Sequence, residues 1–190
     1  MTLSREQLME IAKNYWPSAA DEAARQEVGP EAMRLHARWQ RELGAMERWG
    51  SFLDGLSGAL PTSSVGDASA TVDACLRCVV YPVKGRPLPP LHWVVVGCAS
   101  IVAPVYTVYG VQFEYVGSTR LTRSVALDAH SPHIEPVASL ISRRIEEVFG
   151  FSPLPREVAE TPAPLLVQWK QPPETMLFHA LFTNEPDRLP

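Results

Sequence analysis

Between Leu91 and Val105 the chain reads LHWVVVGCASIVAPV, an almost uninterrupted apolar run rich in valine. β-Branched residues favour strands, and a strand apolar on every residue belongs at the centre of a sheet covered on both faces. The run is too short to cross a bilayer as a helix. It therefore predicts a central strand in a globular fold, and the segments around it are read as its neighbours.

In TVDACLRCVVY the even positions Val72, Ala74, Leu76, Cys78 and Val80 are apolar, while the odd positions begin Asp73, Cys75, Arg77. This period of two predicts a strand with one buried face. VYTVYGVQFEYV alternates at its end, with Val111, Phe113 and Tyr115 opposite Gln112 and Glu114, and STRLTRSVAL reads as a fourth strand. The breaks at Lys84-Gly85-Arg86-Pro87, Pro104 and Gly117-Ser118 are short, so consecutive strands should pair antiparallel.

The same strand reading decides whether Cys75-x-x-Cys78, with His92 and Cys98 downstream, forms a zinc site. Residues three apart on a strand point to opposite faces, which places Cys78 inward and Cys75 outward beside Asp73 and Arg77. Structural zinc pairs sit on tight turns and are matched by a second ligand pair, whereas Leu-Arg separates these cysteines and no second pair follows. Cys98, inside the apolar run, reads as a small hydrophobe. No metal and no cofactor is expected.

Upstream, the period changes from two to three and four. Ser4 and Gln7 form a capping box that opens a helix running to Trp16, and Pro17 ends it. Ser18 and Asp21 offer a second box for the alanine- and glutamate-rich segment that follows. Gly29-Pro30 starts a further helical stretch, in which Leu35, Trp39, Leu43, Met46, Leu53 and Leu56 form one apolar stripe. Residues 57–70, rich in small side chains, read as a linker. Beyond the strands, Pro136 to Phe149 is a helix with Val137, Leu140, Ile141, Val148 and Phe149 on one face and Gly150 at its end.

The expected architecture is α+β within a single domain spanning residues 1–190. Residues 1–57 supply helices, and residues 71–190 an antiparallel sheet of about four strands, one packed helix and a proline-rich C-terminal arm. The chain of 190 residues, 46% hydrophobic and 20% charged, is long and apolar enough for one such core. Its net charge of −4, with Arg34, Arg38, Arg41 and Arg48 interleaved among glutamates, does not provide a basic track for nucleic acid. The charged N-terminus is not a signal sequence, which points to a cytoplasmic protein with reduced thiols and no membrane association.

One cluster could carry chemistry. Asp128, His130, His133 and Glu135 leave the last strand together, and histidines with carboxylates can bind a metal or move protons. Their spacing matches no ligand pattern, and Pro132, Glu135 and Pro136 suit the start of the following helix. The helix-entry reading is preferred over a metal-dependent enzyme, so no catalytic residue is assigned.

The tail is proline-rich yet keeps Leu165, Leu166, Val167, Trp169, Leu177, Phe178, Leu181 and Phe182, more apolar bulk than a disordered segment carries. It reads as an extended arm that hugs the domain, with a terminal strand or helical turn near Glu174 to Phe182. A helix ending in FGF, followed by PLPREVAETPAP and ETMLFHALFTNEPD, resembles the C-terminal region of small bacterial immunity proteins of polymorphic-toxin systems, particularly of the myxobacterial type. The resemblance covers about the last fifty residues, with His179 where a more acidic residue is expected. It implies a non-enzymatic inhibitor that neutralises a cognate protein toxin by direct binding and occlusion. On this reading Tyr109, Glu114 and Asp128 are the expected partner-binding anchors on the sheet. A non-enzymatic binding or oligomeric scaffold of unknown partner, such as a homodimer, is the alternative.

Overall fold

The computed structural model describes residues 3–18, 29–83, 88–117, 119–127 and 132–190. In chain order the elements are α1 (Arg5–Lys13), α2 (Pro30–Leu43), α3 (Met46–Ala59), β1 (Ser64–Asp67), β2 (Cys75–Tyr81), β3 (Leu91–Ser100), β4 (Val105–Val116), β5 (Thr119–Ala126), α4 (Glu135–Phe149), β6 (Ser152–Pro153), α5 (Arg156–Ala159) and α6 (Leu177–Leu181). The expected α+β class holds, but the sheet has six strands and is mixed. β1 to β5 lie side by side in sequence order, each antiparallel to the next, and β6 pairs parallel with β4. The four expected strands are β2 to β5. β1 falls inside the stretch read as a linker, because SVGD has no apolar alternation to mark it. β6 is two residues long, and only the return of the chain alongside Val105 and Tyr106 makes it a strand.

At the N-terminus the capping box forms as expected: Ser4 Oγ accepts from the Gln7 backbone N–H, and Gln7 Oε1 accepts from that of Ser4. Pro30 sits in the first turn of α2, where its missing N–H costs no helix bond. The second expected box, Ser18 with Asp21, lies largely outside the described residues. The single stripe from Leu35 to Leu56 is a correction. The helix breaks at Gly44 and Ala45, leaving Leu43 exposed, and the second helix buries Trp49, Phe52 and Leu56. Trp49 stacks on Phe52 at 4.8 Å, and Phe52 meets the edge of Phe149, which joins α3 to α4 through aromatic contacts.

The sheet is covered on both faces by different parts of the chain. On one face α4 lies so close that glycine is required beneath it. A Cβ on Gly97 would stand 2.5 Å from Ile141 Cγ2 and 2.9 Å from Cys78 Sγ, and one on Gly110 would stand 2.8 Å from Ile134 Cδ1. The C-terminal arm covers the other face. The Ala74 N–H donates to Phe182 O at 2.8 Å, and Phe178 packs edge-on against Tyr109. Leu165, Val167, Leu177, Phe178, Ala180, Leu181 and Phe182 are all buried, so the arm is a layer of the core. Two indole N–H groups fasten the N-terminal region: Trp16 donates to Ala180 O of the arm, and Trp39 to Asp73 O just before β2, both at 2.7 Å.

This second layer overturns part of the alternation in TVDACLRCVVY. The strand begins only at Cys75; Val72 is 58% exposed, and Asp73, Cys75 and Arg77 are buried. The odd face is wet in the sequence pattern, but it is dry once the arm lies on it.

Replacing Gly97 with alanine forces Ile141 or the β2–β3 backbone to shift. Overpacking of this kind costs about 1–3 kcal/mol. Chemical denaturation of the G97A variant should show that loss, and an unchanged midpoint would disprove the close approach of α4.

Candidate binding surface

Residues registered directly across antiparallel strands share a face. Two cross-strand rows on the α4 side, Leu91–Glu114–Leu121 and Trp93–Gln112–Ser124, therefore present their side chains together. α4 leaves most of these rows open: its entry residue Ile134 and Trp93 both stand over Gly110, while Leu91, Leu121 and Ser124 beyond them are exposed. Leu91 is 54% exposed, Leu121 is 40% exposed, and Trp93, Gln112 and Glu114 are half-buried. β5 forms one edge of the sheet. It pairs only with β4 among the described residues, and it is exposed along its length except for the half-buried Ala126. Among the described residues, β5 is thus the long strand whose side chains are exposed on both faces, with Arg120 alone tied to the end of the arm.

The edge is not a bare template. The register shifts between Gln112 and Phe113, so Arg123 is an extra residue on β5, and it forms an ion pair with Glu114. Arg120 lies over the Phe113 ring at 4.6 Å. A bulge and two arginines discourage indiscriminate strand addition, while the apolar side chains between them remain available. The surface thus combines an aliphatic and aromatic centre with a polar rim.

The three expected anchors fare differently. Glu114 lies on this surface. Tyr109 does not: it is fully buried, packs on Phe178 and donates its hydroxyl to Pro186 O at 3.0 Å, because the arm covers the face on which it stands. Asp128 lies outside the described residues. Trp93, Leu91, Leu121 and Arg123 were not singled out in the sequence. The signal available was the composition of TRLTRSVA, where Thr, Arg and Ser occupy both faces of a strand and so mark it as uncovered.

The candidate chemical cluster is only partly visible. Asp128 and His130 lie outside the described residues, His133 is exposed, and Glu135 is the first residue of α4 with Pro136 behind it, as a helix entry requires. Among the described residues no group of three or more histidines, cysteines or carboxylates is placed to hold a metal ion. Cys78 faces α4 beside Gly97, while Cys75 lies on the arm side with Cys98, so the two cysteines do stand on opposite faces. The expectation that Cys75 is solvent-facing is corrected by the arm above it. Burial pushes both thiols up, Cys78 to about 12.

Beneath the arm, Arg77 and Asp73 form a buried ion pair at 3.6 Å. Arg77 Nε donates to Ala68 O at 3.0 Å, and Gln168 donates to Asp73 Oδ1 at 3.3 Å. Burial raises the Asp73 carboxyl above the usual range, with the Arg77 guanidinium opposing that shift. His179 accepts the Met176 N–H on Nδ1 at 2.9 Å, so the neutral ring carries its proton on Nε2. Burial, reinforced by Lys170, pulls this imidazole down to about 4.

No helix among the described residues is long and apolar enough to cross a membrane. No protein-family model, curated protein or solved structure matches the chain.

Two measurements follow from the buried groups. A thiol-specific reagent at pH 8 should leave all three cysteines unmodified until the protein unfolds; rapid labelling of the folded protein would contradict their burial. The His179 effect is a matter of linkage: between pH 6.5 and about 4 the unfolded chain binds a proton here that the fold excludes. Stability should therefore fall as pH drops through that window, relative to the H179Q variant. Parallel pH–stability curves for the two proteins would remove His179 as the cause.

Proposed function

We propose that this chain is an immunity-type binding protein, which neutralises a cognate protein toxin by covering its surface with the open β4–β5 end of the sheet. The observation that carries the reading is the contrast along that sheet. β2, β3 from Val94 onward and the first half of β4 are sheathed on both faces, whereas β5 and its neighbouring rows are held out uncovered on a rigid base. Binding by occlusion needs a stiff, shape-complementary patch with a desolvated apolar centre, and it needs no reacting side chain. The resemblance of the last fifty residues to immunity proteins of polymorphic-toxin systems supports the same reading, and such an inhibitor acts in the compartment where its toxin would otherwise act.

The test is a toxicity-rescue assay with candidate toxins encoded near this gene in its host, combined with binding kinetics on purified proteins. Replacing both Leu91 and Leu121 with aspartate places two charges at the centre of the patch. That variant should fold normally, since both side chains are exposed, and should lose protection mainly through faster dissociation. Alanine at His130 and His133 should leave protection intact. A double-aspartate variant that binds and protects as the parent does would refute the assigned surface. A histidine variant that binds the toxin but no longer protects would replace occlusion with chemistry.

A further inference from the structure

Among the described residues the most exposed aromatic side chain, Trp169, stands at the tip of a two-residue turn in the arm. Val167 and Lys170 exchange both backbone hydrogen bonds at 3.0 Å, with Gln168 and Trp169 between them. Gln168 is left-handed at φ 56°, a position in such turns where glycine is usual and a residue with a side chain is rare. Its side chain is pinned to the segment that leads into β2: Nε2 donates to Val72 O at 2.8 Å and to Asp73 Oδ1 at 3.3 Å. The turn is thus fastened at its base and its tip, and it holds Trp169 66% exposed. Beside it lies an open pocket of about 440 Å³. Tyr15, Trp16, Leu35 and Leu166 give the pocket apolar walls, Ala32 and Val72 line it from exposed positions, and Gln168 belongs to both pocket and turn.

Pockets of roughly 300–1,000 Å³ accept drug-sized molecules, and an indole is smaller than these. A protruding aromatic and a cavity able to take it therefore sit side by side on one face, yet Trp169 does not line that cavity in its own chain. A two-fold interface is built from the same patch on both partners, so it needs a knob and a hole on one face. A foreign partner would have to supply a matching pocket and a matching knob, whereas a second copy of this chain has both. The charges agree: Lys170 follows Trp169 and Glu31 lines the pocket, so insertion brings an ammonium group toward a carboxylate. We propose that the chain forms a two-fold dimer in which Trp169 of each copy enters the pocket of the other. The left-handed Gln168 sets the direction in which the indole leaves the surface. The interface uses no residue of the toxin-occluding surface proposed above and does not depend on it.

Sedimentation velocity of the full chain over a concentration series tests the dimer. The parent should pass from monomer to dimer with no larger species, because a two-fold interface closes on itself. W169A removes the knob, and A32R fills the hole with a long charged side chain. Both positions are exposed, so both variants should melt as the parent does. Each alone should associate about tenfold or more weakly than the parent, as loss of a central tryptophan contact does. Mixed together they should form heterodimers more readily than either forms homodimers, because the intact Trp169 of one enters the intact pocket of the other. A parent that stays monomeric overturns the proposal, as does a W169A protein that dimerises as the parent does. Dimers lost in W169A but kept in A32R would seat Trp169 elsewhere and overturn the insertion. A mixture no more associated than its components overturns it too. A variant that fails to fold is replaced by W169Q or A32Q, and the same readings apply.

Discussion

Two-sided burial of β3 is the constraint on which the rest of the structure depends. From Val94 to Ser100 every residue of this strand is buried, so water must be excluded from both faces at once. α4 does this on one face. The other is closed by the arm, whose Phe178 and Phe182 come from the far end of the chain. Each large apolar side chain so buried contributes about 1.5–3 kcal/mol, which is why a proline-rich tail gives up its freedom to lie on a sheet. The fastening is long-range throughout: Trp16 to Ala180, Ala74 to Phe182, Trp39 to Asp73. A topology closed by such distant contacts loses much loop entropy before it gains its core, and it should fold slowly.

Polar groups under the arm specify how it lies. The Asp73–Arg77 pair contributes little net stability, since desolvation offsets most of its attraction. Arg77 nevertheless reaches Ala68 O, Thr183 and Glu185 O, so a shifted arm would leave a buried charge without partners. Gly97 and Gly110 do the corresponding work on the other face, by permitting α4 one close seat over the sheet.

A sheet sheathed so completely at one end makes its uncovered end conspicuous. The proposed binding surface lies on the α4 side, where Leu91, Trp93 and Leu121 surround the Glu114–Arg123 pair. On the arm side Arg77, Tyr109 and Arg120 donate to the backbone of residues 185–190. Arg120 and Arg123, both on β5, serve one face each: the first holds the end of the arm and the second joins the open patch. The bulge at Arg123 limits indiscriminate strand pairing, so affinity has to come from side chains that fit a particular partner.

Much of this was legible in the residues alone. The capping box at Ser4, the four long strands, the helix from Glu135 closed by Gly150 and an arm that belongs to the core all follow from short-range rules of spacing and turn chemistry. Glu114 could be placed on the open surface because its alternation with Phe113 and Tyr115 is local. Tyr109 could not be seen as buried, because the group that covers it lies some seventy residues later and sequence period reports only that one face differs from another. For the same reason Cys75 and Arg77 read as solvent-facing, and β1 and β6, which have no pattern of their own, were invisible. The sequence determined which segments are helical or extended and which of their faces are apolar, since those depend on neighbours a few residues apart. Which layer covers each face, where the covering stops, and hence which strand is left free to bind were decided by tertiary packing, because burial depends on what the rest of the chain brings back to the sheet.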